Sequence, residues 1–208
     1  ELCKTIFGAY RKTGGKVLLK GRELKISNPS GAVRNRMALV PEERRKEGVL
    51  VHENVSFNLS AACLSRFCTG PFIRRRRVDD NARRYVEDLG ISTPSVRQQV
   101  KNLSGGNQQK VAVGKWLAAD CDIYIFDDSF SALDFKTDAN LRKQLKYETK
   151  DAITLIVAQR VTSIMDATRI IVLNEGAVVG IGTHRELLKT CSIYHEIALS
   201  QLSEEELA

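Results

Sequence analysis

Leu103-Ser104-Gly105-Gly106-Asn107-Gln108-Gln109 is the stretch on which the reading of this chain turns. A serine and two glycines precede a run, Asn107 to Ala119, with the residue content of a helix. Ser104 is a favoured N-cap type, because its hydroxyl accepts a hydrogen bond from a free first-turn amide. Gly105 and Gly106 let backbone come close to a ligand with no Cβ in between. Free amides and the positive end of the helix dipole then favour an anion, most naturally a phosphate. The same residues also suit a plain cap with a flexible lead-in. The motif alone therefore leaves the two readings level.

The sequence downstream tips that balance. Cys121 to Phe126 is an apolar run of the kind found in strands buried on both faces of a parallel sheet, and it ends in Asp127-Asp128. Acids at the carboxyl end of such a strand sit where open α/β sheets bind ligands, and an aspartate there suits a nucleotide's magnesium. Ser131-Ala132-Leu133-Asp134 follows, then a helix over 137–147 and a second buried strand, Thr154 to Ala158, ending in Gln159-Arg160.

Further out, residues 1–10 carry an amphipathic helical pattern, and hairpins are expected over 17–26 and 169–181. Met37 to Val40 reads as a short strand. The charged stretch Pro41 to Gly48 reads as a solvated connector. Residues 53–116 change character and are read as mostly helical, with helices over 54–63 and 79–89. The basic run Arg74 to Arg77 reads as a solvated face, since only Phe72 offers an aromatic beside it. A short helix is expected over 164–168. Thr183 and Glu186 form a capping box that opens the terminal helices, with His184 on its first turn. The acidic residues 203–208 read as a frayed end.

With 208 residues, 43% of them hydrophobic, the chain can build a sizeable core. Its net charge of +7 suits a polyanion, a nucleotide or a membrane-facing surface equally. Five cysteines at scattered spacing, with no histidine pair, read as free thiols of a reducing compartment. No apolar run approaches the length of a membrane span, so a membrane role would come through a partner. No secretory leader is recognisable, and a first residue of Glu1 reads as a fragment.

Taken in order, these motifs resemble those of ATP-binding cassette (ABC) transporter ATPases. Leu103 to Gln109 resembles their signature, Ile123 to Asp128 their Walker B strand, and Ser131 to Asp134 their D-loop. Glu42 stands at the Q-loop position and Gln159 at that of the switch histidine. Residues 1 to about 120 resemble the second cassette of simple-sugar importers. From about Phe126 the chain resembles a degenerate cassette of heterodimeric multidrug-type exporters. The resemblance implies an α/β fold: the RecA-like parallel-sheet core of a P-loop NTPase (1–52 and 117–208) with an inserted helical signature subdomain (53–116). The family's N-terminal strands and phosphate loop are not found in the chain. Gly14-Gly15-Lys16 is followed by Val17 rather than Ser or Thr.

The resemblance further implies ATP and Mg2+ as cofactors. Glu42, Leu103, Ser104, Gly105, Gly106, Asn107, Gln108 and Asp134 would serve nucleotide binding and Asp127 the metal. Asp128 and Gln159 would form a weakened hydrolytic site, because the family places a glutamate and a histidine there. The partners would be a second cassette, meeting this one head to tail, and transmembrane subunits. The location would be the cytoplasmic face of the membrane, peripheral, with no nucleic acid. Without a phosphate loop the chain alone is expected to be inactive. The competing reading is a truncated or chimeric fragment that only presents its signature to a partner cassette. A DNA-repair ATPase with a related signature would need a long coiled coil, and residues 53–102 are too short and lack heptads.

Overall fold

Apolar runs bounded by turn residues become the strands of a three-stranded parallel sheet in the computed structural model, which describes residues 1–130 and 135–202 (135–139 by backbone alone). The 131–134 segment expected to be a D-loop, with Asp134, lies outside the described residues, as does the tail 203–208. The described chain forms two compact units, Glu1–Val157 and Ala158–Ala208.

In the first unit, α1 (Leu2–Ile6) is followed by a hairpin of β1 (Leu18–Leu19) and β2 (Arg22–Glu23), then α2 (Pro29–Arg34) and β3 (Met37–Val40). The helix expected over 1–10 is shorter because Gly8 turns left-handed, at φ +77°, where a Cβ would meet Ile26 at 2.7 Å. Asn28 caps α2, accepting from Gly31 N at 2.9 Å, and Pro29 supplies the first helical position. The connector after β3 is mostly exposed, as expected, but it is not irregular. Residues Arg44–Gly48 wind into a single π-type turn that packs against a later helix.

The helical part comprises α3 (Val55–Ser60), a 3₁₀ stretch to Phe67, the hairpin β4 (Cys68–Thr69) and β5 (Phe72–Ile73), α4 (Arg75–Asp88) and α5 (Gly105–Ala119). Helix α4 begins four residues before the expected Asp79 and takes in most of the arginine run. Helix α5 packs on α3 and α4 and also on β3, so one helix ties this lobe to the sheet. Strand β6 (Ile123–Asp127), α6 (Phe135–Glu148) and β7 (Ile153–Val157) complete the unit. Strand order is β3-β6-β7, all parallel, with Met37 opposite Ile123 and Asp127 opposite Val157. The core runs from Phe7 and Trp116, edge to face at 5.9 Å, through Met37, Ile125 and Phe126 to Leu59, Val111 and Val113. Cys3, Cys63, Cys121 and Cys191 are buried, and all five thiols are free, as their spacing suggested.

The second unit pairs β8 (Ile170–Asn174) with β9 (Ala177–Gly182) around Glu175 and Gly176, at φ +48° and +80°. Two successive left-handed residues make the tight turn that suits a twisted hairpin. Helices α7 (His184–Thr190) and α8 (Ser192–Leu199) follow. The capping box is complete: Glu186 N donates to Thr183 Oγ1 at 3.4 Å, and Thr183 N donates to Glu186 Oε2 at 2.8 Å. His184 is a packing residue, its Nδ1 2.8 Å from the buried Tyr194 hydroxyl. The helix expected over 164–168 is replaced by a 3₁₀ turn at Val161–Ser163. The Gln201 side chain fixes that turn, accepting from Val161 N at 2.8 Å and donating to Gln159 O at 2.9 Å.

Candidate functional site

Ser104 caps α5 with extended backbone, φ −60° and ψ 159°, and its hydroxyl accepts from Asn107 N and from Asn107 Nδ2 at 2.9 Å. The helix starts at Gly105, two residues before the expected Asn107, so both glycines lie in its first turn. Their amides make no backbone hydrogen bond among the described residues, and Ser104 is exposed above them. Three open features therefore converge: unused N–H groups, a helix dipole and a hydroxyl.

The other signature residues hold that turn in place. Asn107 Oδ1 accepts from Ser92 N at 2.9 Å, anchoring the turn to the chain after α4. Leu103 is buried. Gln108 is wholly buried. Its Nε2 donates to Val100 O at 3.1 Å and Leu103 O at 3.0 Å, and its Oε1 accepts from Arg45 Nε at 3.0 Å. Both ends of that amide are spent, one on the loop that leads into the open turn and the other on Arg45.

Arg44 is a residue that sequence reasoning passed over. One guanidinium nitrogen lies 2.6 Å from where a Cβ on Gly105 would stand. Its Nε is buried and has no acceptor among the described residues. A cation beside the positive end of a helix is unfavourable unless an anion joins them. The signal available in sequence was the arginine pair Arg44-Arg45 inside the charged connector, which carries no periodicity of its own.

At the carboxyl end of the sheet, Asp127 closes β6 next to Cys3 of α1, whose thiol is pushed up to about 11 by burial and by the Asp127 carboxylate. Asp128 turns left-handed at φ +44°, while its N–H still donates to Val157 O at 3.0 Å. Aspartate tolerates that conformation better than a longer side chain, and such backbone strain gathers at functional positions. Ser129 fixes the strand end, donating from Oγ to Val40 O at 2.7 Å. Glu42 is exposed just beyond β3. Thus Asp127, Asp128 and the open turn of α5 belong to the first unit, whereas Gln159 lies in the second. No group of three His, Cys, Asp or Glu side chains forms a metal cage among the described residues. A lone strand-end carboxylate suits Mg2+, which takes one or two carboxylates and completes its shell with phosphates and water. No helix among the described residues is long and apolar enough to cross a membrane.

The ABC transporter family matches residues 1–131. A putative ribose/galactose/methyl galactoside import ATP-binding protein 1 of Rhizobium etli is 32% identical over 188 residues, covering 89% of this chain and 36% of that protein. A protein 3 of the same description from Burkholderia cenocepacia is 38% identical over 187 residues, covering 87% and 36%. The ribose import ATP-binding protein RbsA of Cereibacter sphaeroides is 40% identical over 134 residues, covering 64% and 27%. The chain thus spans about a third of the length of the curated relatives it matches. Among solved structures, a bacterial Atm1-family ABC exporter with ATP bound superposes with a TM-score of 0.76 at 23% identity, over 98% of this chain and 34% of that one. The importer likeness is thus carried by sequence and the exporter likeness by the fold.

Proposed function

The chain belongs to the ABC transporter family, and from that premise we propose that it is an ATP-binding part of an ABC transporter, coupling ATP binding and hydrolysis to transport. The observation that carries the reading is the open first turn of α5, where the Gly105 and Gly106 amides, the Ser104 hydroxyl and the Arg44 guanidinium converge with no anion of the chain's own among the described residues. Ser104, Gly105, Gly106 and Arg44 bind and orient a phosphate at that turn. Leu103, Asn107 and Gln108 keep it in shape. Asp127 holds Mg2+, whose charge neutralises phosphate oxygens when it is bound. Asp128 and Gln159 serve a weakened hydrolytic site: Asp128 is one methylene shorter than the family's glutamate, and an amide cannot become cationic near neutral pH. Glu42 relays the state of the site to transmembrane subunits. Residues 53–116 act as the signature lobe, and a second cassette supplies the facing half of each site. Sugar is the substrate class named for the relatives matched by sequence, and we place the chain at the cytoplasmic face of the membrane.

A second reading is favoured by Gly14-Gly15-Lys16, which runs through exposed irregular chain with no helix behind it. In that reading the chain offers only its signature to a partner's nucleotide. Titration with a fluorescent ATP analogue and Mg2+ separates the two. The first reading expects saturable binding by the chain that weakens on Asp127→Asn. Binding that appears only when a partner cassette is added, and is lost on Ser104→Arg, supports the second. Failure of both would end the nucleotide assignment.

A further inference from the structure

The helical lobe carries a surface that the nucleotide reading does not use. Hairpin β4–β5 ends in Phe72 and Ile73, which are 72% and 46% exposed, and Arg74 to Arg77 follow at once, all exposed. Arg74 is tied into the hairpin, its Nε donating to Thr69 Oγ1 at 3.1 Å and its N–H to Phe67 O at 2.8 Å. Arg75, Arg76 and Arg77 form the first turn of α4, which contains no acid and no side-chain cap. Cations there face the positive end of the helix dipole, so the helix itself disfavours them.

The sequence offers two carboxylates that could compensate, each four residues on: Asp79 for Arg75 and Asp80 for Arg76. Both are engaged elsewhere. Asp79 is buried, accepting from Ser56 Oγ at 2.6 Å and pairing with Arg97. Asp80 pairs with Arg83 at 2.6 Å. Among the described residues no carboxylate pairs with any of the four arginines. Four uncompensated cations, at the base of the hairpin and the start of α4, thus follow directly on two solvent-exposed apolar side chains of β5.

We propose that this patch docks on an anionic phospholipid surface: Phe72 and Ile73 enter the boundary between headgroups and acyl chains while Arg74 to Arg77 bind lipid phosphates. Arginine stems lie along apolar surface while their heads stay among phosphates, so the two parts of the patch suit one bilayer interface. A single-stranded nucleic acid would call for several aromatic platforms between the charges, and here one aromatic is followed by an isoleucine, which has no ring to stack. Each basic residue at an anionic membrane surface strengthens partition by about fivefold. The four together are worth several hundredfold, roughly, before the apolar pair is added.

The inference is independent of nucleotide binding and is tested on the whole chain by flotation with vesicles, which separates lipid-bound chain from aggregate. Vesicles of phosphatidylcholine containing about one-third phosphatidylserine should carry the chain upward, and pure phosphatidylcholine should not. High salt should release it. Arg75→Gln with Arg76→Gln should weaken partition by about 25-fold, and Phe72→Ser by about tenfold. A Phe72→Trp variant should be quenched by brominated acyl chains beyond the wild type, whose own Trp116 is buried. Equal flotation with neutral lipid, or flotation indifferent to the arginine pair, would overturn the proposal. So would absence of the added quenching, or retention by duplex DNA in place of vesicles.

Discussion

Lys115 shows what a single charge costs in this fold. It lies on α5 with its Nζ donating to Gly48 O at 2.6 Å and 5.1 Å from the centre of the Trp116 ring. One end of the π-type turn is thereby fastened to the helix that carries the open first turn. Burial disfavours the ammonium and pushes its pKa down to about 8 from an ordinary 10.5. The unfolded chain therefore holds a proton that the folded chain gives up between those values. The penalty is full below pH 8 and gone above 10.5, so this residue makes stability rise with pH across that window. Cys3 and Cys121 act in the opposite sense: burial raises both thiols to about 11, so the folded chain keeps protons that the unfolded chain loses near 9. A comparison with Lys115→Met cancels the cysteines. Urea denaturation at pH 7 to 10 should show the wild type gaining on the variant by roughly 1–3 kcal/mol as pH rises. A difference independent of pH would mean the Gly48 carbonyl and the Trp116 ring already repay the desolvation.

Helix α5 is the element on which most of the first unit depends, and its packing leaves little tolerance. A Cβ added to Gly114 would stand 2.6 Å from Leu59 Cδ2 and 2.8 Å from Leu89 Cδ1. Gly114→Ala gains about 1 kcal/mol of helix propensity and loses about 1–3 kcal/mol to overpacking. The expected result is a net loss, read as a lower urea midpoint at unchanged slope. A stabilised variant would show that the α3–α4–α5 contact yields at those methyl groups. The start of α5 was legible in the sequence because Ser104 is a local signal, as were the capping box at Thr183 and the buried strands at 37–40 and 123–127. The helix at Arg75 was not legible, since four arginines at a helix start oppose the dipole and announce nothing. Hairpin β4–β5 has two residues per strand, too few for an alternating pattern. The Arg44–Gly48 turn and the placing of Arg44 against Gly105 depend on contacts across more than sixty residues, which no local spacing encodes. Asp127 and Asp128 could be marked as a strand-end pair from sequence, but the left-handed backbone at Asp128 could not.

For the molecule as a whole, the consequential property is how much apolar strand surface it leaves open. Strand β7 pairs only with β6 among the described residues, and Ile153, Leu155 and Val157 on one of its faces are 58%, 37% and 42% exposed. In the second unit, the hairpin shows the same habit: Ile171, Leu173, Val178 and Ile181 are each more than half exposed. An open, apolar edge strand is a template for pairing with another chain, and apolar patches of this kind drive association. Strand β3, the other edge of the described sheet, has all four residues buried and so adds no exposed apolar side chain to this surface. The chain by itself is therefore expected to self-associate as its concentration rises, with loss of soluble material on heating rather than a reversible transition. Charged residues on an exposed edge strand oppose that pairing, so Leu155→Lys should raise the soluble fraction, and adding Ile171→Lys should raise it further. Light scattering against concentration, with a heating scan on the same samples, measures both effects. A wild-type chain that stays monomeric and melts in one sharp, reversible step would refute the argument. Improvement from Ile171→Lys alone would move the source of association from the sheet edge to the second unit's hairpin.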